Sequence, residues 1–275
     1  MERKLIFLDI DGTLVEPGTN VPPQSAMDAI HKAQEAGNKV FLCSGRNYDM
    51  LKPLLKYGFD GYIASAGGYI VAEDKLLYSE PMDKREFREI LDLLHQNGVF
   101  CTVEAKDATY GDENLAEILG NAAAGNSEIE RWRKALAEEL NIKPLKEFDG
   151  RPVYKIVIMC ETMDQLAEAI RLYGDRYEFC VQEVFSRGGI INGELINRKY
   201  DKGRGVLRVT DFYGVHVTDT VGFGDSMNDV TMIDTVGTGV CMENGSAELK
   251  KHSDTVVPSV KDDGLYKGFE MLKLM

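Results

Sequence analysis

The fold is decided by Leu5-Ile6-Phe7-Leu8-Asp9-Ile10-Asp11-Gly12-Thr13, a short apolar run that ends in two acidic residues and a glycine. Four consecutive apolar residues are typical of a strand that is buried on both faces of a parallel sheet. The polar residues begin where this strand ends, and in open α/β sheets ligands bind beyond the carboxyl ends of the strands. Gly12 lets the backbone turn without a side chain that would obstruct a ligand. The stretch therefore predicts a central strand followed by a functional loop, although acidic residues and glycine also form ordinary turns.

Similar runs recur along the chain. Residues 39–43 form a second apolar run that ends at Ser44-Gly45, and a helical pattern between the two runs follows Pro22-Pro23 and ends near Gly37. Further buried strands are predicted at residues 62–64, 217–223 and 239–242. Strands that alternate with helices predict an α/β fold with a doubly wound parallel sheet.

The middle of the chain has a different pattern, which predicts a separate α/β lobe. A helix should begin at Asp83, with Glu86 three residues later. Asn192-Gly193 is a typical hairpin-turn dipeptide, and it lies between Ile190-Ile191 and Leu195-Ile196. Strands are expected at residues 100–104, 153–159 and 179–185, and helices at 129–140, which includes Trp132, and at 162–173. We predict a core domain at residues 1–82 and 197–275, and an inserted domain at 83–196.

Composition and charge exclude several classes of protein. The 275 residues are 44% hydrophobic and 28% charged, the balance of a soluble globular protein. The formal net charge of −13 disfavours a nucleic-acid partner, because binding to a polyphosphate depends on Lys and Arg. No apolar run approaches the length of a membrane span, and the apolar run after the N-terminus is too short for a signal peptide.

The cysteines and histidines do not predict a disulfide framework or a zinc site. The five cysteines are odd in number and widely spaced, and the four histidines lie far apart without metal-ligand spacing. Buried thiols of this kind indicate a reducing compartment, so we expect a cytoplasmic protein. The oligomeric state is not indicated.

A carboxylate such as Asp9 could attack a phosphate only with cations beside it. Two like charges about 4 Å apart repel by roughly 4 kcal/mol at an effective dielectric constant near 20. The sequence supplies oxygen ligands that suit Mg²⁺ after another apolar strand, namely Asp225, Asn228 and Asp229. A dinucleotide site at Gly222-x-Gly224 is disfavoured, because the third glycine is missing.

Fixed positive and hydroxyl groups are also available. Lys202, followed by Gly203, is the best candidate for a cation beside the phosphate, although most lysines are simply solvated. Ser44 could donate its hydroxyl to a phosphate oxygen, with a helix N-cap as the alternative. Arg46 could add a charge-assisted bond to the phosphate.

Taken in order, these motifs resemble those of the haloacid dehalogenase superfamily. The four motifs are Asp9-x-Asp11-Gly12-Thr13, Ser44-Gly45-Arg46, Lys202-Gly203 and Gly224-Asp225-x-x-Asn228-Asp229. The large insertion between the second and third motifs looks like the α/β cap of the Cof-like branch, so the resemblance covers nearly the whole chain. One departure is Ser65-Ala66-Gly67-Gly68, where the branch usually carries an Asn-Gly pair.

The resemblance implies a Mg²⁺-dependent phosphatase. Asp9 would attack phosphorus to form an aspartyl-phosphate, while Asp11 would protonate the leaving oxygen and later activate water, which requires a raised pKa of Asp11. The predicted ligands of the metal are Asp9, the backbone carbonyl of Asp11 and Asp225, with Asp229 in support. The groups predicted to bind the phosphate are Ser44, Lys202, Asn228, Arg46 and the Gly12 loop.

The resemblance also implies a substrate class and leaves alternatives open. The expected partner is a small phosphorylated metabolite, by default a sugar phosphate, and the cap would select it; Glu104, Arg187 and Asn192 are conceivable contacts. A phosphotransferase of the phosphomannomutase kind would use the same aspartyl-phosphate and yield an isomeric sugar phosphate. A non-catalytic metabolite-binding regulator would not need Asp11 beside Asp9.

Overall fold

The structure is a computed structural model, and it describes residues 3–113, 142–182 and 191–275. The chain forms two compact units, of which the first is Met1–Ser79 with Tyr200–Met275 and the second is Glu80–Lys199. Each unit has its own sheet and its own hydrophobic core. The α/β fold class is therefore confirmed. No helix among these residues combines the length and the apolar character needed to cross a membrane.

The first unit contains an eight-stranded sheet. With strands numbered along the whole chain, its members are β1 (Leu5–Leu8), β2 (Lys39–Cys43), β3 (Gly61–Ala64), β4 (Tyr69–Ala72), β5 (Lys75–Ser79), β12 (Thr220–Gly224), β13 (Thr238–Met242) and β14 (Thr255–Val257). Their order is β14-β13-β12-β1-β2-β3-β4-β5. The six strands from β14 to β3 pair in parallel, as predicted, whereas β4 and β5 add an antiparallel edge. The sequence patterns did not predict that edge.

Helices cover the sheet of the first unit. They are α1 (Gln24–Glu35), α2 (Tyr48–Leu55), α5 (Lys202–Tyr213), α6 (Val230–Thr235), α7 (Ala247–His252) and α8 (Gly264–Met271). The predicted apolar stripe of α1 is buried, and the chain leaves this helix through Gly37, whose φ of +94° favours glycine. All four residues of β1 are fully buried, and the rings of Phe7 and Phe41 stack 5.4 Å apart. The central strand is therefore apolar on both faces, as its sequence predicts.

One predicted strand begins later than expected. Residues 217–219 form a turn of 3₁₀ helix, and the strand starts at Thr220. The Thr220 hydroxyl donates to the Val217 carbonyl at 2.6 Å, and the His216 side chain accepts from the amide of Thr218. These local hydrogen bonds compete with strand pairing, and an apolar pattern alone does not reveal them.

The second unit contains a six-stranded sheet and two described helices. The strands are β6 (Phe100–Ala105), β7 (Thr109–Gly111), β8 (Ile142–Pro144), β9 (Val153–Cys160), β10 (Tyr177–Gln182) and β11 (Ile191–Asn197), in the order β10-β11-β9-β6-β7-β8. The helices are α3 (Lys84–Gln96) and α4 (Asp164–Tyr173). Asp83 caps α3, as predicted, because its carboxylate accepts from the amides of Arg85 and Glu86.

Side chains alternate between the two faces of this sheet. Cys101, Val103, Ile156 and Ile158 belong to the core that also contains Phe87, Ile90, Leu166 and Ala169 of the two helices. Because successive strand residues point to opposite faces, Thr102, Glu104 and Lys155 lie on the face opposite the two described helices. These three polar residues are all buried, on a face that also carries the apolar residues Val157 and Met159.

The predicted hairpin turn at Asn192-Gly193 is wrong. Both residues lie inside β11, where Gly193 pairs with Val181 on one side and with Ile158 on the other. A Cβ atom on Gly193 would come 2.9 Å from the Cys180 carbonyl oxygen. The glycine therefore allows β10 and β11 to approach closely at this position. A turn and a crowded strand both favour glycine, and the dipeptide does not distinguish them.

Some predicted features lie outside the described residues. They are the helix at 129–140 with Trp132, the end of the strand predicted at 179–185, Ile190 and Arg187.

Candidate active site

The carboxyl ends of three neighbouring strands bring polar residues to one edge of the first sheet. Strand β1 pairs in parallel with β2 on one side and with β12 on the other. Asp9 follows β1, Ser44 follows β2 and Asp225 follows β12. The amide of Asp9 donates to the Phe223 carbonyl at 2.9 Å, which extends the pairing by one residue. Parallel pairing therefore brings residues 9, 44 and 225 together, although they are distant in sequence.

Lys202 is the cation of this site. It is the first residue of α5, which Asp201 caps by accepting from the amide of Arg204 at 2.7 Å. The Lys202 Nζ donates to Asp9 Oδ1 at 2.7 Å and to Asp229 Oδ1 at 2.5 Å, and the residue is 1% exposed. The alternative that this lysine is merely solvated is therefore wrong.

Burial and charge shift the pKa values of these groups. Burial and the Asp229 carboxylate raise the pKa of Asp9 to about 7, against the opposing effect of Lys202. Burial together with Asp9 and Asp229 raises the pKa of Asp225 to about 8. Burial acts to lower the pKa of Lys202, but Asp229 and Asp9 outweigh it and raise the value. Three carboxylates face one ammonium group, so the cluster carries an excess of two negative charges when fully ionised.

The acidic cluster fits a divalent cation. Carboxylate oxygens of Asp9, Asp225 and Asp229 all lie within 4.8 Å of one another. The Asp225 Oδ1 atom is buried and has no hydrogen-bond partner among the described residues. Buried acceptors are normally satisfied, so this atom needs a ligand of its own. Oxygen donors with an excess of negative charge are the set that Mg²⁺ prefers.

Asp229 serves mainly to hold the other groups in place. Its Oδ2 atom accepts from the amides of Asp225 and Ser226, both at 3.0 Å, and its Oδ1 atom accepts from Lys202. Both oxygens are thus used within the protein, and the residue is fully buried. If a cation binds to this cluster, the geometry of Asp229 favours a supporting position over direct ligation.

Gly12 allows the close approach of Asp225. Its φ is +83°, and a Cβ atom there would lie 2.3 Å from Asp225 Oδ2. The Gly12 carbonyl accepts from Asn244 Nδ2 at 2.9 Å, a contact that the sequence did not reveal because Asn244 lies 232 residues away. A side chain at position 12 would therefore displace an acidic group of the site.

Arg46 is bound to Asp11. Its Nε donates to Asp11 Oδ2 at 2.8 Å, and its Nη2 donates to Asp11 Oδ1 at 2.7 Å. The Arg46 Nη1 donates to Asn20 Oδ1 at 2.6 Å, and no sequence pattern singled out Asn20. The predicted contact of Arg46 with a phosphate stays a prediction, but its guanidinium group already has a carboxylate partner.

The other two predicted phosphate ligands have different surroundings. Ser44 is 3% exposed, and its Oγ accepts from the amide of Arg46 at 3.2 Å. The alternative of a helix N-cap at Ser44 is wrong, because Asn47 caps α2. Asn228 is exposed, and its Oδ1 accepts from Lys202 at 3.3 Å. Asn228 therefore contacts the charged cluster through Lys202, whereas Ser44 lies buried at the end of the neighbouring strand.

A second group of ligand-type residues lies in the second unit. Ligand atoms of His95, Cys101 and Asp112 lie within 4.8 Å of one another. However, the Asp112 Oδ2 atom already accepts from the Cys101 amide at 2.8 Å and contacts His95 Nε2 at 3.2 Å. The hydrogen bond that the imidazole donates to the Asp112 carboxylate raises the pKa of His95. These contacts describe a hydrogen-bonded pair at the end of a helix.

The loop after β3 supports the second motif. The amide of Ser65 donates to the Arg46 carbonyl at 2.8 Å, and the amide of Ala66 donates to the Ser44 carbonyl at 2.9 Å. Gly67 packs so tightly that a Cβ atom would lie 2.3 Å from the Asp201 carbonyl oxygen. Ser65 and Ala66 have φ values of +49° and +55°, the conformation that Asn and Gly adopt most readily. The turn thus forms without the Asn-Gly pair, at a cost in backbone strain.

We expect Ala66→Gly to raise the free energy of unfolding by about 1 kcal/mol, because the left-handed conformation is unfavourable for alanine. Urea denaturation at constant pH measures the change. Ala36→Gly is the control. Ala36 has an ordinary φ of −73°, so glycine there should only increase the freedom of the unfolded chain and lower the free energy of unfolding. Equal losses in both variants would contradict the assignment of strain to position 66.

A model of the haloacid dehalogenase-like hydrolases matches residues 6–269 of the chain. The chain belongs to this family. Among its relatives, YkrA of Bacillus subtilis is 28% identical over 100% of both chains. The 5-amino-6-(5-phospho-D-ribitylamino)uracil phosphatase YwtE of the same organism is 28% identical over 95% of each chain. The solved structure of BT1666, a phosphatase of this superfamily from Bacteroides thetaiotaomicron, has a TM-score of 0.79 at 21% identity and covers 99% of this chain and 96% of its own.

The match of the family model extends across both units of the chain, so the second unit is part of the haloacid dehalogenase-like architecture. The likeness to BT1666 shows the same overall fold.

Proposed function

We propose that this chain, a phosphatase of the haloacid dehalogenase-like family, hydrolyses a small phosphate monoester with Asp9 as the nucleophile and Mg²⁺ as the cofactor. The observation that carries the proposal is the buried Lys202, whose ammonium group is shared by Asp9 and Asp229 beside the unpartnered Asp225 Oδ1. A carboxylate that attacks an anion needs this combination of a fixed cation and a metal site.

The first step transfers the phosphoryl group to Asp9. Lys202 holds the Asp9 carboxylate in place at the end of β1, where the substrate phosphate would meet it. As the bond from Asp9 to phosphorus forms, the ester bond breaks and Asp11 gives a proton to the leaving oxygen. In the second step Asp11 takes a proton from water, whose oxygen attacks phosphorus and releases phosphate and free Asp9.

Asp9, Asp225 and the backbone carbonyl of Asp11 would hold the metal ion. Bound Mg²⁺ would neutralise charge on the phosphate and on the acidic cluster. Asp229 would keep Asp225 and Lys202 in position through the hydrogen bonds that it makes with both. Ser44 and Asn228 would donate to phosphate oxygens.

The second unit would act as the cap that selects the substrate. On the face opposite α3 and α4, Lys155 Nζ lies 3.2 Å from Glu104 Oε2 and 2.8 Å from Glu194 Oε1, and Lys155 is 2% exposed. Asn192 is 4% exposed, and its Oδ1 has no hydrogen-bond partner in the described ranges. Hydroxyl groups both donate and accept, so a sugar or polyol would satisfy such a face. The name of the relative YwtE, which acts on a phosphoribityl compound, supports this class.

A screen of phosphate monoesters tests the proposal. We expect release of inorganic phosphate from at least one sugar or polyol phosphate in the presence of Mg²⁺. Chelator should lower the rate on the order of 10³-fold, because the cation would stabilise the charge of the transition state by several kcal/mol. Readdition of Mg²⁺ should restore the rate. No Mg²⁺-dependent release from any ester would refute the proposal, and an isomeric sugar phosphate as the product would indicate phosphotransfer instead.

A further inference from the structure

The pairing of Arg46 with Asp11 differs from what a phosphate ligand requires. Two nitrogens of the guanidinium group, Nε and Nη2, donate to the two oxygens of one carboxylate at 2.8 and 2.7 Å. The two side chains are 11% and 16% exposed, so solvent competes weakly for these hydrogen bonds. Two parallel hydrogen bonds of this kind fix the orientation of the carboxylate plane as well as the position of the carboxylate.

Arg46 is itself held by the loop that follows the first motif. Its Nη1 donates to Asn20 Oδ1 at 2.6 Å, and its Nη2 also donates to the Thr19 carbonyl at 3.3 Å. The amide of Gly18 adds a third donor to Asp11, at 3.2 Å from Oδ1. The guanidinium group is thus immobilised between Asp11 and residues 18–20, and little of its donor capacity is left for a phosphate.

We propose that Arg46 is a positioning residue for Asp11 and not a phosphate ligand. The inference rests on the proposed function, because it concerns the acid and base of that reaction. General acid and base catalysis depends on geometry, and a displacement of about 1 Å can lower a rate 10²-fold. A lysine could supply the charge but not the two-point contact.

The charge of Arg46 favours the carboxylate form of Asp11, and the pair can persist through one hydrogen bond when Asp11 carries a proton. The carboxylate form accepts both hydrogen bonds from Arg46 and is the form that takes a proton from water. When Asp11 carries a proton, one oxygen becomes an O–H donor while the other still accepts from Arg46. One hydrogen bond then remains to direct the O–H group toward the leaving oxygen of the ester.

The two possible roles of Arg46, positioning of Asp11 and binding of phosphate, predict different effects of its loss on esters with different leaving groups. An alkoxide needs a proton as the ester bond breaks, whereas p-nitrophenolate leaves as a stable anion. A displaced Asp11 should therefore slow the first turnover of an alkyl phosphate and spare that of p-nitrophenyl phosphate. Loss of a phosphate ligand would slow both and weaken binding of inorganic phosphate.

The test measures single-turnover rates of both esters, together with competitive inhibition by inorganic phosphate, in wild type and in Arg46→Met. We expect a loss of roughly 10²-fold for the alkyl ester, a few-fold at most for p-nitrophenyl phosphate, and unchanged inhibition. Asp11→Asn should show the same selectivity with a larger loss. Arg85→Met is the control, since Arg85 is 81% exposed in the second unit.

Two milder variants keep the test informative if Arg46→Met does not fold. Arg46→Lys should show most of the alkyl-selective loss, and Asn20→Ala should show a smaller loss of the same kind, because each loosens the pair without removing Asp11. Equal losses for both esters with weaker phosphate inhibition would overturn the inference, and so would unchanged rates for both. If wild type releases no phosphate from any ester, the proposed function itself fails, which is a distinct result.

Discussion

Asp9→Asn should abolish phosphate release while the protein stays folded. An amide cannot form the covalent bond to phosphorus, and removal of a catalytic nucleophile lowers turnover by roughly 10⁴-fold or more. The substitution keeps the size of the side chain and removes one of three carboxylates that lie within 4.8 Å of one another. Initial rates on the best ester from the screen, with a thermal unfolding curve for each protein, measure both effects.

Asp28→Asn is the matched control, because Asp28 is an exposed residue of α1 whose contact is a hydrogen bond from Gln24. It should keep wild-type activity. If Asp9→Asn retained more than a small part of the wild-type rate, then Asp9 would not be the nucleophile, whatever metal the reaction uses.

Lys202→Met should both inactivate and strongly destabilise the protein. Lys202 is 1% exposed, and its ammonium group donates hydrogen bonds to the buried carboxylates of Asp9 and Asp229. Its loss leaves those charges unpaired, and breaking a buried ion pair in this way costs about 3–5 kcal/mol. Urea denaturation in chelator gives the loss in the free energy of unfolding.

Adding Asp229→Asn to Lys202→Met should recover part of the stability, because the second change removes one of the carboxylates left unpaired. Activity should not return, since Asp9 would still lack its cation. Lys251→Met is the control, as Lys251 pairs with Glu248 at an exposed position and should change stability little. Additive losses in the double variant would show that Lys202 and Asp229 do not act as a pair.

The sheet of the first unit was predictable because its central strands are short and apolar on both faces. Residues 5–8 and 39–43 show this pattern, and both are buried strands in the structure. The antiparallel edge was not predicted, although β4 is a short apolar run that is largely buried. Its partner β5 is mostly exposed, and an apolar run alone does not give the direction in which a strand pairs. Asn192-Gly193 was misassigned because glycine suits a crowded strand as well as a turn.

The positions of the acidic groups could be predicted from the sequence, because in a parallel sheet polar residues that follow apolar strands must gather at one edge. Asp9 and Asp225 follow β1 and β12, which are neighbours. The partner of each side chain could not be predicted this way. The approach of Arg46 to Asp11 depends on how the loop at residues 18–20 folds back, and that is decided by contacts between segments far apart in sequence. Local sequence patterns determine where the strands end. Which charged side chains form ion pairs is determined only by the tertiary structure, because the partners come from segments that are distant in sequence.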